Sequence, residues 1–255
     1  MSSIRTAEHF SRQAGAYAHS PAHAAGEDLD WVEAFAEPHL DDLCLDIATG
    51  PGHTAFRLAP KVRCVLGLDL AQGMVEQAQL LAQERGIPQA IFLVGDAQAL
   101  CFAPKTFHLV TCRIAPHHFS DVALAMREVA RVLKEGGRFV LEDSLAPEDP
   151  AQALFLARLE VLRDPTHIQS LSLNAWNTVL EQAGLKITRQ TVCRKVRSFE
   201  RWVHLAGLCT EQTQELVTQI LAAPPRVRDR FFGVEGTQVH TFFDEKLICR
   251  AERVG

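Results

Sequence analysis

The feature that most constrains this chain is an apolar strand-like run at residues 43–47 that leaves through a paired-glycine turn and carries an acid: Leu45-Asp46-Ile47-Ala48-Thr49-Gly50-Pro51-Gly52-His53-Thr54-Ala55. Glycines at 50 and 52 permit a tight strand-to-helix turn and a close approach of backbone to a ligand. As spelled, Gly50 to Ala55 satisfies the loose G-x-G-x-x-G/A pattern of dinucleotide binding. Asp46 argues differently. Its carboxylate directs negative charge towards the ligand pocket, where a pyrophosphate is repelled and an ammonium or sulfonium is attracted.

The residues that follow alternate regularly. Strand-like runs at 62–68, 90–94, 108–112 and 138–141 are separated by helical segments. Ala71, Met74, Val75, Ala78, Leu81 and Ala82 trace one helical face, with Gly86 and Pro88 as its stop. Ser120 is the expected N-cap of a further helix, whose stripe is Val122, Met126, Val129 and Val132 or Leu133. Short strands separated by such helices imply right-handed crossovers and a parallel sheet covered on both faces. Ligands of such sheets bind outside the carboxyl ends of the strands, near the reversal of strand order. There the first strand delivers the Asp46-to-Gly52 turn, the second Asp69 and the third Asp96, so three carboxylates converge by topology.

Before this region, residues 5–18 read as a helix with Phe10, Ala14 and Tyr17 on one side, and a second helix covers 29–35. After it, 151–163 and 174–183 are helix-like, 185–196 and 239–250 strand-like. The segment between these two strands holds a helix near 210–222 and a break at Pro224-Pro225.

The ordered motifs resemble the class I S-adenosylmethionine-dependent methyltransferases, and within them the ubiquinone/menaquinone C-methyltransferase-like subgroup. The likeness is carried by the Asp46 turn; by Val65-Leu66-Gly67-Leu68-Asp69; by Val94-Gly95-Asp96-Ala97-Gln98-Ala99-Leu100; by Phe107 to Arg113; and by Leu133-Lys134-Glu135-Gly136-Gly137-Arg138-Phe139-Val140-Leu141. It is tight over roughly residues 40–145 and looser elsewhere. The resemblance implies an α/β, Rossmann-like fold with a seven-stranded, mostly parallel sheet, an antiparallel last strand and helices on both faces. It implies one methyltransferase domain over 1–255, with a helical lid at 1–38, a cofactor-binding core at 39–145 and substrate-covering segments at 146–172 and 197–236. The implied cofactor is S-adenosyl-L-methionine, released as S-adenosyl-L-homocysteine. Asp46 is assigned to the methionine ammonium, Asp69 to the ribose hydroxyls and Asp96, with Ala97, to the adenine amine. Tyr17, Ala48, Thr49, Gly50, Gly52, Leu70, Met74 and Arg113 complete the expected cofactor contacts. Tyr17 and Phe10 either close the pocket as part of the lid or pack their helix onto the core.

Catalytic candidates lie in Arg113-Ile114-Ala115-Pro116-His117-His118-Phe119, the loop expected to face the transferred methyl. A neutral histidine can take a proton from a nucleophile. Adjacent side chains of an extended segment point opposite ways, so at most one of His117 and His118 is expected to reach the substrate. His167, in Arg163-Asp164-Pro165-Thr166-His167, is a further candidate, against the plainer reading of a helix end with an Asp-Pro turn.

A chain of 255 residues that is 47% hydrophobic suffices for one large α/β core. A net charge of −5 gives no electrostatic footprint for nucleic acid. The start of the chain lacks an apolar signal core and no run approaches a membrane span, so a cytoplasmic protein is expected. Seven cysteines include no Cys-x-x-Cys pair and read as reduced, mostly buried thiols; no metal is expected. The expected partner is a small-molecule acceptor, quinone- or polyketide-like, methylated at carbon or oxygen, and a homodimer is compatible with the chain. Two alternatives stay open: an NAD(P)-dependent oxidoreductase, and an S-adenosylmethionine-binding protein of this fold without methylating activity.

Overall fold

The computed structural model describes residues 3–254; Met1, Ser2 and Gly255, at the ends of the expected single domain, lie outside the described residues. The five early strand-like runs become β1 (Leu43–Ile47), β2 (Cys64–Asp69), β3 (Ala90–Val94), β4 (Phe107–Arg113) and β5 (Leu133–Ser144). β6 (Leu185–Ser198), β7 (Phe232–Glu235) and β8 (Gln238–Arg253) follow. The sheet order is β3-β2-β1-β4-β5-β8-β6, with β7 paired to β8. β1 to β5 are mutually parallel, and β8 enters antiparallel between β5 and β6. The path of seven strands is the expected one, and the short β7 is an addition. Gly236, at φ +60°, turns it into β8, a cue hidden inside a segment read only as cover.

Helices α1 (Ser3–Ala18), α2 (Pro21–Ala24) and α3 (Glu27–Ala36) precede the sheet. Between the parallel strands run α4 (His53–Leu58), α5 (Gln72–Arg85) and α6 (Val122–Val132). α7 (Pro150–Arg163) and α8 (Leu173–Gln182) lead into β6, and α9 (Phe199–Leu205), α10 (Thr210–Ala222) and α11 (Pro225–Phe231) lead into β7. Among the described residues no helix is long and apolar enough to cross a membrane.

Two local expectations need correction. The N-cap of α6 is Asp121, whose carboxylate accepts from Leu124 N at 2.8 Å, whereas Ser120 Oγ donates to Gln98 Oε1. A carboxylate also meets the positive end of the helix dipole, which a hydroxyl does not match. The second strand begins at Cys64 rather than at 62, because Ala59–Lys61 form a 3-10 turn and Arg63 N donates to Asp42 O.

Burial explains the layers. β1, β4 and β5 are covered on both faces, one side by α6 and α8 with Met126, Val129 and Trp176, the other by α3, α4 and α5 with Phe35, Leu58 and Ala78. A third cluster stands apart from the sheet's centre: Leu156 and Leu159 of α7, Trp202 of α9, Leu216 and Ile220 of α10, Phe232 and Phe242. Trp202 stacks on Phe242 with centroids 4.3 Å apart. The two segments expected to cover the substrate therefore pack against each other, over the far ends of β6 and β8.

Phe139 of β5 is 0% exposed within the first cluster. Phe139→Ala is expected to lower the unfolding free energy by about 3–5 kcal/mol, lost transfer energy plus the cavity left behind, as read from urea titration.

Candidate active site

β1 ends under a turn whose backbone is unusual at three places: Ala48 at φ +50°, Gly50 at φ +55° and Gly52 at φ +92°. Gly52 is demanded twice, by its φ and by space, since a Cβ there would lie 2.9 Å from Phe92 Cζ. Thr49 N donates to Leu68 O at 3.0 Å, which ties the turn to β2. Asp46 sits beneath it, 1% exposed, accepting from Thr49 Oγ1 and from Thr111 Oγ1 of β4, each at 2.6 Å. Burial raises its carboxyl to about 6, despite the two hydroxyls and the nearby Arg113.

Asp69, at the end of β2, accepts from Gly50 N at 2.8 Å and from Ala71 N at 2.9 Å. Burial pushes its carboxyl up as well, and the backbone donors oppose this. Asp96, beyond β3, accepts from Gln98 N at 2.8 Å. All three carboxylates line one cavity of about 1100 Å³, counted out to its open mouth at the carboxyl end of the sheet.

Of the other expected cofactor residues, Tyr17, Ala48, Thr49 and Gly50 line this cavity, as do Leu70, Met74, Ala97 and Arg113. Gly52 is not part of its wall; it shapes the turn. Arg113 has a further task. Its Nη1 donates to Asp28 Oδ2 at 2.8 Å, Nη2 to His23 O at 2.6 Å and Nε to Thr54 Oγ1 at 3.0 Å. It thus ties α2 and α3 to β4, and its donors point at protein groups. Asp28 is also met by Lys195 at 2.5 Å; burial opposes its ionisation, yet the two cations hold its carboxyl well below the usual range. Nothing in the sequence near Arg113 signals a partner 85 residues upstream.

The leading helix closes one side. Phe10 and Tyr17 line the cavity and meet edge to face at 5.9 Å, and His53 Nε2 donates to Tyr17 O at 3.1 Å. Gly73 N donates to Ser11 Oγ, so α1 lies against the start of α5. Tyr17 packs against Phe10 of its own helix and also faces the cavity.

His117 and His118 lie in a 3-10 turn, Pro116–His118, rather than in the extended segment expected; their rings stand 4.1 Å apart, and one of the two lines the cavity. His118 lines the cavity; Phe10 meets its ring at 4.9 Å. Its Nδ1 lies 3.1 Å from Thr166 O. A carbonyl only accepts, so Nδ1 carries the proton and Nε2 has the lone pair. Burial, with His117 adjacent, lowers His118 to about 3, which leaves the ring neutral. Asp164 Oδ2 stands 4.0 Å from Nε2.

His117 and His167, named with His118 as catalytic candidates, do not line this cavity. His117 Nδ1 is 2.6 Å from Asp143 Oδ1, and burial drives both partners towards their uncharged forms, His117 down to about 3 and Asp143 up to about 7. His117 O accepts from Ile168 N and Gln169 N, stitching this turn to the segment after α7. His167 stacks on His117 at 5.2 Å and faces a separate groove beside α7. Residues that sequence reasoning missed in the wall include Thr6, His23 and Ile168, which carry no motif and arrive through tertiary packing.

The chemistry of the donor set is one-sided. Three carboxylates face the cavity beside apolar Leu70, Met74, Ala97 and Phe10, which suits a ligand rich in hydrogen-bond donors and carrying a cation. A pyrophosphate at the Gly50 turn would meet Asp46 and Asp69, so the nicotinamide alternative finds no support. The Arg113 tie yields a separate expectation. Arg113→Ala leaves Asp28 with Lys195 alone, and should cost about 3 kcal/mol of stability, the low end for a broken buried pair, with faster proteolysis before residue 40.

Comparison with known proteins agrees with this geometry. The family described as "Methyltransferase domain" matches residues 44–137. An uncharacterized methyltransferase of Bacillus subtilis, YcgJ, is 38% identical over 222 residues, covering 87% of this chain and 88% of that protein. The crystal structure of YcgJ superposes with a TM-score of 0.86 over 90% of this chain and 99% of that one. A putative methyltransferase from Bacillus halodurans, 34% identical, gives 0.87 over 90% and 100%. The demethylmenaquinone methyltransferase of Thermotoga maritima is 35% identical over 128 residues, 48% of this chain and 53% of that protein. With its strand order, its Asp46 turn and these relatives, the chain belongs to the class I S-adenosylmethionine-dependent methyltransferases.

Proposed function

We propose that the acceptor of this methyltransferase is an aromatic, quinone- or polyketide-like small molecule, methylated at carbon or oxygen beside His118. The observation that carries the reading is a neutral histidine, Nε2 unprotonated, in the wall of the cavity that also holds the three carboxylates. A relative of the demethylmenaquinone methyltransferase class supports an acceptor of the quinone kind.

In this reading Asp46 holds the cofactor's ammonium, Asp69 accepts from the ribose hydroxyls, and Asp96 faces the adenine amine with Ala97. Leu70 and Met74 pack the adenosine, Ala48, Thr49 and Gly50 give backbone contacts, and Gly52 keeps the turn in shape. The described part of 1–38, from Ser3, forms the lid over a core of 39–145, and 146–172 and 197–236 cover the acceptor as parts of one domain. When bound, the cofactor supplies a methyl group on a sulfonium that is already a good leaving group. The protein's part is alignment and exclusion of water, with Phe10 and Tyr17 above the site.

His118 receives the acceptor's proton. A ring held near 3 is a weak base, and without the pull of Asp164 it would be weaker still. Burial opposes ionisation of Asp164, but His118, Thr166 and Arg163 outweigh it and keep its carboxyl at about 2. The ionised group, 4.0 Å from Nε2, favours the imidazolium as it forms. His117 and His167 act by holding that turn in place.

Two measurements test the reading. An ammonium is attracted by ionised Asp46, whose carboxyl is raised to about 6. Affinity for S-adenosylhomocysteine, read by calorimetry, should be level above pH 7, decline as pH drops through 6 and be about tenfold weaker at pH 5. Asp46→Asn should bind weakly with no such slope, and a wild-type affinity that ignores pH refutes the Asp46 role. Asp69→Ala should weaken binding by roughly 10- to 100-fold, the loss of charged hydrogen bonds. His118→Ala should keep that affinity and lose turnover, whereas equal turnover in His118→Ala and wild type removes the proton-transfer role.

A further inference from the structure

Beside the cofactor cavity lies a second depression, a groove of about 580 Å³, counted out into open solvent, between α7 and residues 167–170. Its walls are mostly apolar, with Ala153, Leu156 and Ala157 of α7 facing Ile168. Four polar side chains interrupt them, Glu160, His167, Gln169 and Ser170, of which Glu160 and His167 are more than nine-tenths buried. Glu160 is paired with Arg163 at 2.8 Å. His167, 7% exposed, is less well provided for: Nε2 lies 3.4 Å from Ser170 Oγ, and the solvent-shielded Nδ1 has no hydrogen-bond partner among the described residues. A buried polar atom left without a partner costs about 1–3 kcal/mol, and a ligand group that supplies the bond accounts for it.

Ile168 belongs to both depressions. Its N–H is fixed to His117 O at 2.8 Å, and its side chain forms part of each wall. Ile168 is thus the wall that the two depressions share, on the side where His118 sits. Its rim leaves Leu154 54% and Ile168 36% exposed, apolar surface that a bound chain would cover.

We propose that this groove is a second subsite for the acceptor: the reacting ring lies beside His118, and an apolar extension crosses Ile168 and runs along α7, with one hydroxyl or carbonyl group meeting His167 Nδ1. The proposal rests on the methyltransferase reading of the adjoining cavity. It selects elongated, uncharged, apolar acceptors over compact or ionic ones, because the carboxylate of Glu160 is already neutralised by Arg163.

The test uses the full chain saturated with S-adenosylhomocysteine, titrated calorimetrically with phenol and its 4-ethyl, 4-butyl and 4-hexyl derivatives. Affinity should rise about three- to fourfold per methylene until the groove is filled. Ala153→Trp and Ala157→Trp place an indole in the groove, and should abolish that gain while the affinities for phenol and S-adenosylhomocysteine keep their wild-type values. Ala157 sits on the exposed side of α7, so its variant folds even where the first does not. Among 4-butylphenols hydroxylated at successive chain carbons, one isomer should bind about 2- to 10-fold tighter than the rest, a preference lost in His167→Phe. A wild-type series indifferent to chain length, or a gain that survives both tryptophan variants, overturns the groove proposal and leaves the methyltransferase reading intact. Failure of S-adenosylhomocysteine to bind the wild-type protein overturns both.

Discussion

Asp46 is a carboxylate enclosed under the turn that leaves β1, and each of its oxygens is held by one hydroxyl. Two neutral donors do not undo the desolvation of a charge, so its carboxyl stays raised. The same two bonds join the turn to β4, and Asp69 joins it to β2 through Gly50 N. The three neighbouring strand ends are thus held in one arrangement by acids that the isolated protein stabilises only in part. A cationic ligand would supply what is missing. In the proposed binding mode, cofactor affinity and the rigidity of the turn have one electrostatic origin.

The opposite wall obeys a different rule. Around His117 and His118 the groups are aromatic, buried and uncharged, and bonds to Asp143 and Thr166 fix where each ring points. Asp164 gives this region one ionised group near the cavity, held through Thr166 and Arg163. The site therefore divides into a polar half carried by the parallel strands and a half assembled from the segments that follow β4 and β5. The first half suits the donor common to a whole family, and the second leaves room for acceptors to differ.

This division explains what could be read from the residues alone. The early strands, their parallel pairing and the three convergent aspartates were legible because glycines, acids and apolar runs recur within short stretches, each fixed by local backbone geometry. The α6 cap was misassigned by one residue because Ser120 and Asp121 are both good caps, and only the bond from Ser120 to Gln98 separates them. The ties of Arg113 to Asp28 and of His118 to Thr166 span 85 and 48 residues, and no local pattern reports them. Strand β7 escaped notice because its four residues lie between a helix and a turn in a region without alternation. The histidines show the limit: alternation in an extended segment was expected, but they lie in a 3-10 turn, and the bond of His117 to Asp143 of β5 decides which ring is left to face the cavity.

The aromatic cluster of Trp202, Phe232 and Phe242, with Leu159 and Ile220, is separate from the two layers that sandwich the sheet. Its link to the site is Arg163, whose guanidinium lies 5.0 Å over the Trp202 ring and pairs with Glu160. A module with its own interior can drift in sequence without disturbing the layers beneath it. Substitutions within that interior are therefore expected to leave the sheet and the carboxylates at its strand ends in place.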